Sequence, residues 1–179
     1  MPEWLNPKLA YEGLMDFFAQ GGTTVLVPIM IVAFMLWAFI MERLSYYLFA
    51  HGALKTRLRA EWSAREDKRS WRSRAIRDDL VSQVRLNTDR FVGIVQALVA
   101  VAPLLGLLGT VTGMIEVFDI MALSGSSSAR LMAGGVFKAT IPTMAGMVVA
   151  LSGMYFANWL PKLSIRETAK FADTLEIGE

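Results

Sequence analysis

Charge is almost absent from three long stretches of this sequence, and that gap constrains the fold more than any other feature. Residues Thr23 to Met41, Phe91 to Phe118 and Leu131 to Leu160 hold two charged side chains between them, Glu116 and Lys138. A helix of a water-soluble protein keeps a polar face, so apolar runs of this length point to helices that cross a membrane. At a rise of ~1.5 Å per residue the first block reaches ~28 Å, about one hydrocarbon core, and the other two reach ~42 to 45 Å. The last two blocks overshoot the bilayer. The sequence therefore predicts an all-α integral membrane protein with three transmembrane helices, the second and third extended into the cytoplasm.

The segments between the blocks set the expected orientation. Residues 42–90 hold twelve Lys or Arg against seven acids, whereas residues 1–22 hold a single Lys. Lys/Arg excess marks the cytoplasmic side, so 42–90 reads as a basic cytoplasmic helical segment and the N-terminus as periplasmic. Residues 1–22 read as a periplasmic or interfacial amphipathic segment, with Asn6 suited to an N-cap, Pro7 to the first helical position and Gly21-Gly22 to the stop. The first span, 23–41, has no basic stretch before it and no small-residue cleavage site after it, so it reads as a retained span and not a secretory signal. Residues 119–130, with the run Ser124-Gly125-Ser126-Ser127-Ser128, read as a periplasmic hairpin. Residues 161–179 form a cytoplasmic tail that carries Lys162, Arg166 and Lys170.

Several function classes find no support in these residues. The basic run from Arg65 to Arg77, interleaved with Trp62 and Trp71, has no nucleic-acid motif beside it and reads as a helical extension facing lipid headgroups and solvent. There is no cysteine and one histidine, His51, just past the first span. Without further ligands a metal role is not expected, and His51 reads as an interfacial residue. No set of nucleophile, base and orienting group can be assembled, so no enzyme activity and no cofactor are expected.

The three blocks differ in small residues. The first has no glycine. On the second, Gly106, Thr110 and Gly113 fall at i, i+4 and i+7 with Gly109 beside them; on the third, Gly135, Ala139, Thr143, Gly146, Ala150, Gly153 and Ala157 line one face at three- and four-residue spacing. Lipid tails are as apolar as leucine, so close backbone approach through small residues is a main way for helices to associate in a bilayer. The second and third spans are thus expected to pack tightly, while the first faces lipid. Each packed span also carries a proline, Pro103 or Pro142, which removes a helical donor and is expected to bend the helix. Thr140 and Thr143 flank Pro142. Their hydroxyls, with that of Thr110, either bond back to the helix backbone or line a polar path through the membrane.

The stretch Ala102-Pro103-Leu104-Leu105-Gly106-Leu107-Leu108-Gly109-Thr110-Val111-Thr112-Gly113-Met114-Ile115 resembles the second-span signature of the MotA/TolQ/ExbB proton-channel family. The run Ala139-Thr140-Ile141-Pro142-Thr143-Met144-Ala145-Gly146-Met147-Val148-Val149-Ala150-Leu151 is similar to its third span. The compact plan is most similar to ExbB proteins of TonB systems. The resemblance implies a homopentamer in the bacterial inner membrane that encloses the single spans of an ExbD-type dimer, with proton flow passed on to a TonB-type protein. It implies that Thr110 and Thr143 are pore-lining, that the proton is the transported ion, and that the partner supplies the titrating carboxylate. A TolQ-like role in cell-envelope maintenance and a passive membrane scaffold are the alternatives.

One departure from the family pattern concerns the two charges. Many ExbB proteins carry a glutamate early in the third span where this sequence has Lys138, and a neutral residue late in the second where it has Glu116, so that glutamate's role does not carry over. A lone charge at membrane depth is expensive, and the two sit near the same end of their spans. An intramembrane Glu116–Lys138 pair, within or between subunits, is therefore expected. Neither span offers a carboxylate near its middle, so a proton path through this chain requires one from elsewhere.

Overall fold

The computed structural model describes residues 22–65, 67–68, 70–124 and 129–175, together with Glu12, Gly13 and Met15. The expected N-terminal amphipathic segment otherwise lies outside the described residues. Every regular element among the described residues is helical. In chain order these are α1 (Thr23–Ser45), a π-helical turn (Tyr46–Ala50), α2 (His51–Ser63), α3 (Trp71–Asp89), α4 (Val92–Ser124) and α5 (Ala129–Asp173).

Local chemistry explains where the helices begin and end. Gly22 has φ of 75°, a left-handed conformation that suits glycine, immediately before α1. Ser70 is extended and its hydroxyl accepts from the Ser73 amide at 3.3 Å, capping α3. Asp67 braces this cap from both sides: its carboxylate accepts from the Ser70 amide and its carbonyl from the Ser73 hydroxyl. Between α3 and α4 the chain turns at Phe91, which has φ of 65°, a left-handed conformation strained for a bulky side chain. The helices outrun the apolar blocks. α4 continues through Asp119 to Ser124 and α5 starts at Ala129, so much of the stretch assigned to the 119–130 connection is helical. Both helices run on through Pro103 and Pro142.

α1, α4 and α5 each contribute to two compact units, one comprising the chain up to Leu36 with Leu98–Gly153, the other Trp37–Ala97 with Met154 onward. In the first unit, Val25, Leu26, Ile29 and Leu36 of α1, Val99, Ala102 and Val117 of α4, and Ala139, Ile141 and Ala150 of α5 are buried. Large apolar side chains cover its outside, Phe34, Leu104, Leu107, Phe137, Met144 and Val148 among them. Water would oppose so much apolar exposure, whereas acyl chains match it. Three helices are long and apolar enough to cross a membrane.

The second unit packs around side chains of α2, α3 and the end of α5. Its buried positions include His51, Leu58 and Trp62 on α2, Ser73, Leu80, Val84 and Thr88 on α3, and Leu160, Ser164 and Phe171 on α5, spaced by fours and sevens so that each helix buries one stripe. Leu58, Trp62, Leu80, Val84, Phe171 and Leu175 form one apolar core. The Arg77 guanidinium donates to the carbonyls of Ala172 (2.9 Å) and Leu175 (3.1 Å), satisfying acceptors left over at the end of α5. The Ser164 hydroxyl donates to that of Thr88 at 2.8 Å, which donates in turn to the Val84 carbonyl. No polar atom of that pair is left unsatisfied by its burial.

Candidate functional site

The membrane site starts from glycines that admit a second backbone. A Cβ on Gly146 would stand 2.5 Å from the carbonyl oxygen of Ala102, and one on Gly106 would stand 2.9 Å from the Cα of Thr143. Gly113 meets Ala139, Gly109 meets Pro142 and Val25, Gly135 meets Val117, and Gly153 meets Leu36 and Val99. Along these contacts the α4 number falls as the α5 number rises, so the two helices form an antiparallel hairpin in backbone contact. Gly93 and Gly134, which the sequence counts among the glycines of the same blocks, meet nothing within 4 Å.

The threonines divide into two kinds. The Thr143 hydroxyl crosses the hairpin and donates to the carbonyl oxygen of Gly106 at 2.8 Å. The missing side chain at Gly106 lets Thr143 come this close. The hydroxyls of Thr110 and Thr140 bond back to their own helices, to Leu107 and Phe137, at 2.7 Å each. A hydroxyl that donates inward keeps its oxygen lone pairs outward as acceptors.

With about 100° between successive residues, Thr110 lies to one side of the contact line through Gly106, Gly113 and Val117. Thr143 and Thr140 lie to the same side of the line through Gly146 and Ala139 once the helices are set antiparallel. Val25 against Gly109 and Leu36 against Gly153 put α1 on the other side. The hairpin thus has an α1-covered flank and an open flank that presents three hydroxyl oxygens.

Glu116 and Lys138 do not pair within the chain, which leaves the between-subunit form of the expected pair. Both are exposed, and none of the ion pairs among the described residues joins them. The contact line at their level is filled by Gly113 on Ala139 and Val117 on Gly135. Both charges stand off that line, on the flank away from the threonines. Glu116 is also not terminal: α4 continues for about 12 Å beyond it.

Sequence reasoning missed a second polar cluster, in the other unit. His51, expected at the membrane interface, is buried under the rings of Tyr46 and Tyr47 and its Nε2 lies 3.2 Å from Glu167 Oε2. Lys55 and Lys170 also bind that carboxylate. Arg43, 2% exposed, stacks on Tyr46 and Phe91 (4.8 and 5.3 Å), donates to the Asn87 carbonyl at 2.9 Å, and is neutralised by Glu42. The signals for it were Glu167, set between Arg166 and Lys170 in the tail, and an arginine just past the end of an apolar block. Neither specifies a partner.

The fold and site define an all-α membrane protein with three candidate spans, two of them locked into a glycine-packed hairpin that presents hydroxyls along one flank. The chain belongs to the MotA/TolQ/ExbB proton channel family, whose profile matches residues 47–173. It is 38% identical over 82 residues to the ExbB-like 3 biopolymer transport protein of Synechocystis sp., covering 45% of this chain and 39% of that protein. Over 76 residues it is 40% identical to the biopolymer transport protein exbB1 of Vibrio cholerae, covering 42% and 33%. The biopolymer transport protein ExbB of Xanthomonas campestris is 38% identical over 72 residues, covering 40% and 28%. The matched stretches therefore span well under half of these relatives' lengths.

Proposed function

We propose that this chain is a multi-pass subunit of an ExbB-type proton channel in the bacterial inner membrane, with its N-terminus periplasmic and its C-terminus cytoplasmic. It assembles as a homo-oligomer, a pentamer, around the single spans of an ExbD-type dimer, and passes the energy of the proton motive force to a TonB-type protein. The observation that carries this reading is the open flank of the hairpin: Thr110, Thr140 and Thr143 present oxygens there, while the charges Glu116 and Lys138 lie on the other side. A row of acceptors orders water or a partner side chain but does not itself take up protons at neutral pH. The partner span supplies the titrating carboxylate. The excess of Lys and Arg over residues 42–90 supports the orientation. The proton is the transported ion, no cofactor takes part, and the chain acts as a transport energiser and not as an enzyme.

The test is proton flux into vesicles carrying the purified chain, with and without an ExbD-type partner, under an imposed membrane potential. Flux is expected only with the partner and only with the potential. Flux from the chain alone would refute the borrowed carboxylate. Partner activity indifferent to the potential would instead make the chain a passive scaffold.

A further inference from the structure

The second unit holds a titratable group that the channel reading leaves unused. His51 is the chain's one histidine and is 6% exposed. Its Nε2 faces Glu167, which also accepts from Lys55 Nζ at 2.5 Å and from Lys170 Nζ at 2.9 Å. The Lys55 hydrogen bond above all, and then that of Lys170, outweigh burial and hold the Glu167 carboxyl at about 2. An ionised carboxylate only accepts, so the Nε2 of a neutral ring must carry the hydrogen and donate it.

That assignment decides the state of the other ring nitrogen. Nδ1 is left as a bare lone pair, buried and without a hydrogen-bond partner. Among the described residues the Tyr46 hydroxyl is likewise buried without a partner. Tyr46 packs on the His51 ring at 5.9 Å. Buried polar atoms in native proteins are nearly always paired, so two on adjoining rings call for an explanation. The tyrosines come from a π-helical turn, a rare form frequent at functional sites, which brings the Tyr47 ring as well to within 5.4 Å of His51.

We propose that His51 is a proton-binding site: Nδ1 takes a proton from water while Nε2–H stays on Glu167, and the new Nδ1–H draws in the idle Tyr46 hydroxyl oxygen. In the resting cluster both of these atoms are unpaired. Protonation makes Nδ1 a donor with the Tyr46 oxygen as its acceptor, so one proton changes the pairing of the π turn and α2 against α5. The charges around the ring are Lys55 on α2 and Glu167 and Lys170 on α5, with Arg43 over the Tyr46 ring and Asp89 acting on Tyr47. Burial and then Lys55 disfavour the imidazolium, and Glu167 favours it.

A single histidine makes the site directly readable. The full chain in lipid nanodiscs is titrated while the imidazole C–H and ring nitrogen signals are followed by NMR. The neutral ring is expected to carry its hydrogen on Nε2 and to titrate below the free value of about 6.5. Glu167→Gln removes the counter-charge and is expected to lower the midpoint by about one unit or more, whereas Lys55→Gln removes a like charge and is expected to raise it. Should Glu167→Gln fail to fold, Lys55→Gln and the tautomer still decide. Amide exchange protection over residues 46–58 is expected to change about tenfold across the midpoint in the wild type and to stay level in His51→Gln. A ring that carries its hydrogen on Nδ1, a midpoint that Lys55→Gln leaves in place, or protection that does not follow the titration would overturn the proposal. Neither readout requires proton flux, so failure of the channel reading and failure of this site are separate results.

Discussion

Thr143 is the residue on which the two packed spans depend most directly, because its hydroxyl ties α5 to a main-chain oxygen of α4. Thr143→Val keeps the shape and removes the donor. It is expected to destabilise the hairpin by about 1 kcal/mol, the scale of a single interhelical hydrogen bond in a membrane. Proton flux in the partner-loaded complex should fall about tenfold or more, and Thr143→Ser should restore it. An unchanged flux in Thr143→Val would remove this hydroxyl from the path. The sequence marked Thr143, Thr110 and Thr140 as polar residues at depth but did not separate the cross-helix bond from the two back-bonds, since that depends on which glycine stands opposite. At the other cluster the sign of the pH dependence is fixed. Glu167 has its value lowered, so its contribution to stability is present above the ordinary carboxylate value of 4.5 and is lost as pH falls toward about 2. His51 is lowered too, so its neutral form is favoured in the folded state, and that contribution is present above 6.5 and is lost as pH falls below it. Thermal unfolding of the nanodisc-embedded chain should thus weaken from about pH 6.5 downward. His51→Gln should flatten the upper part of that curve; an identical curve would dismiss the His51 contribution.

Among the elements, the α4–α5 hairpin was the most legible from sequence, because small residues at three- and four-residue spacing in an apolar run have few other uses. The contacts of Gly106, Gly113, Gly135 and Gly146 give that stripe a physical meaning, and the empty space at Gly134 shows where composition alone over-counts. Gly146→Ala forces a methyl against the Ala102 carbonyl and is expected to cost about 1 to 3 kcal/mol. Gly134→Ala meets nothing and should be neutral or slightly stabilising in the helix. Denaturation of the two variants side by side is the check, and equal stabilities would mean that the hairpin is not in backbone contact. The boundaries of the 42–90 segment were less legible. The π turn and the left-handed Phe91 have no propensity signal, since each has tertiary partners: the Tyr47 hydroxyl donates to the Thr88 carbonyl, and Phe91 packs on Phe39 and Arg43. Pairing across distant segments, as between residues 51 and 167, cannot be read from periodicity.

The whole chain combines two ways of holding helices together. One unit relies on glycine contacts and offers large apolar side chains to its surroundings; the other buries a leucine, tryptophan and phenylalanine core and, Arg43 aside, keeps its charged side chains off that core. These designs answer different solvents, because burial of apolar surface stabilises a bundle in water but gains little against lipid. The two units should therefore respond differently to mutation. Leu80→Ala, fully within the second unit's core, is expected to cost about 2 to 5 kcal/mol in that unit. Phe34→Ala, exposed on α1 in the first, removes a lipid contact and should leave stability nearly unchanged. Hydrogen exchange resolved by segment in nanodiscs separates the two: loss of protection in Leu80→Ala should fall on α2, α3 and the end of α5, and the amides about Gly106 and Gly146 should keep theirs. Protection lost equally across both regions would mean that the chain unfolds as one cooperative body, and the difference in packing would then carry no difference in stability.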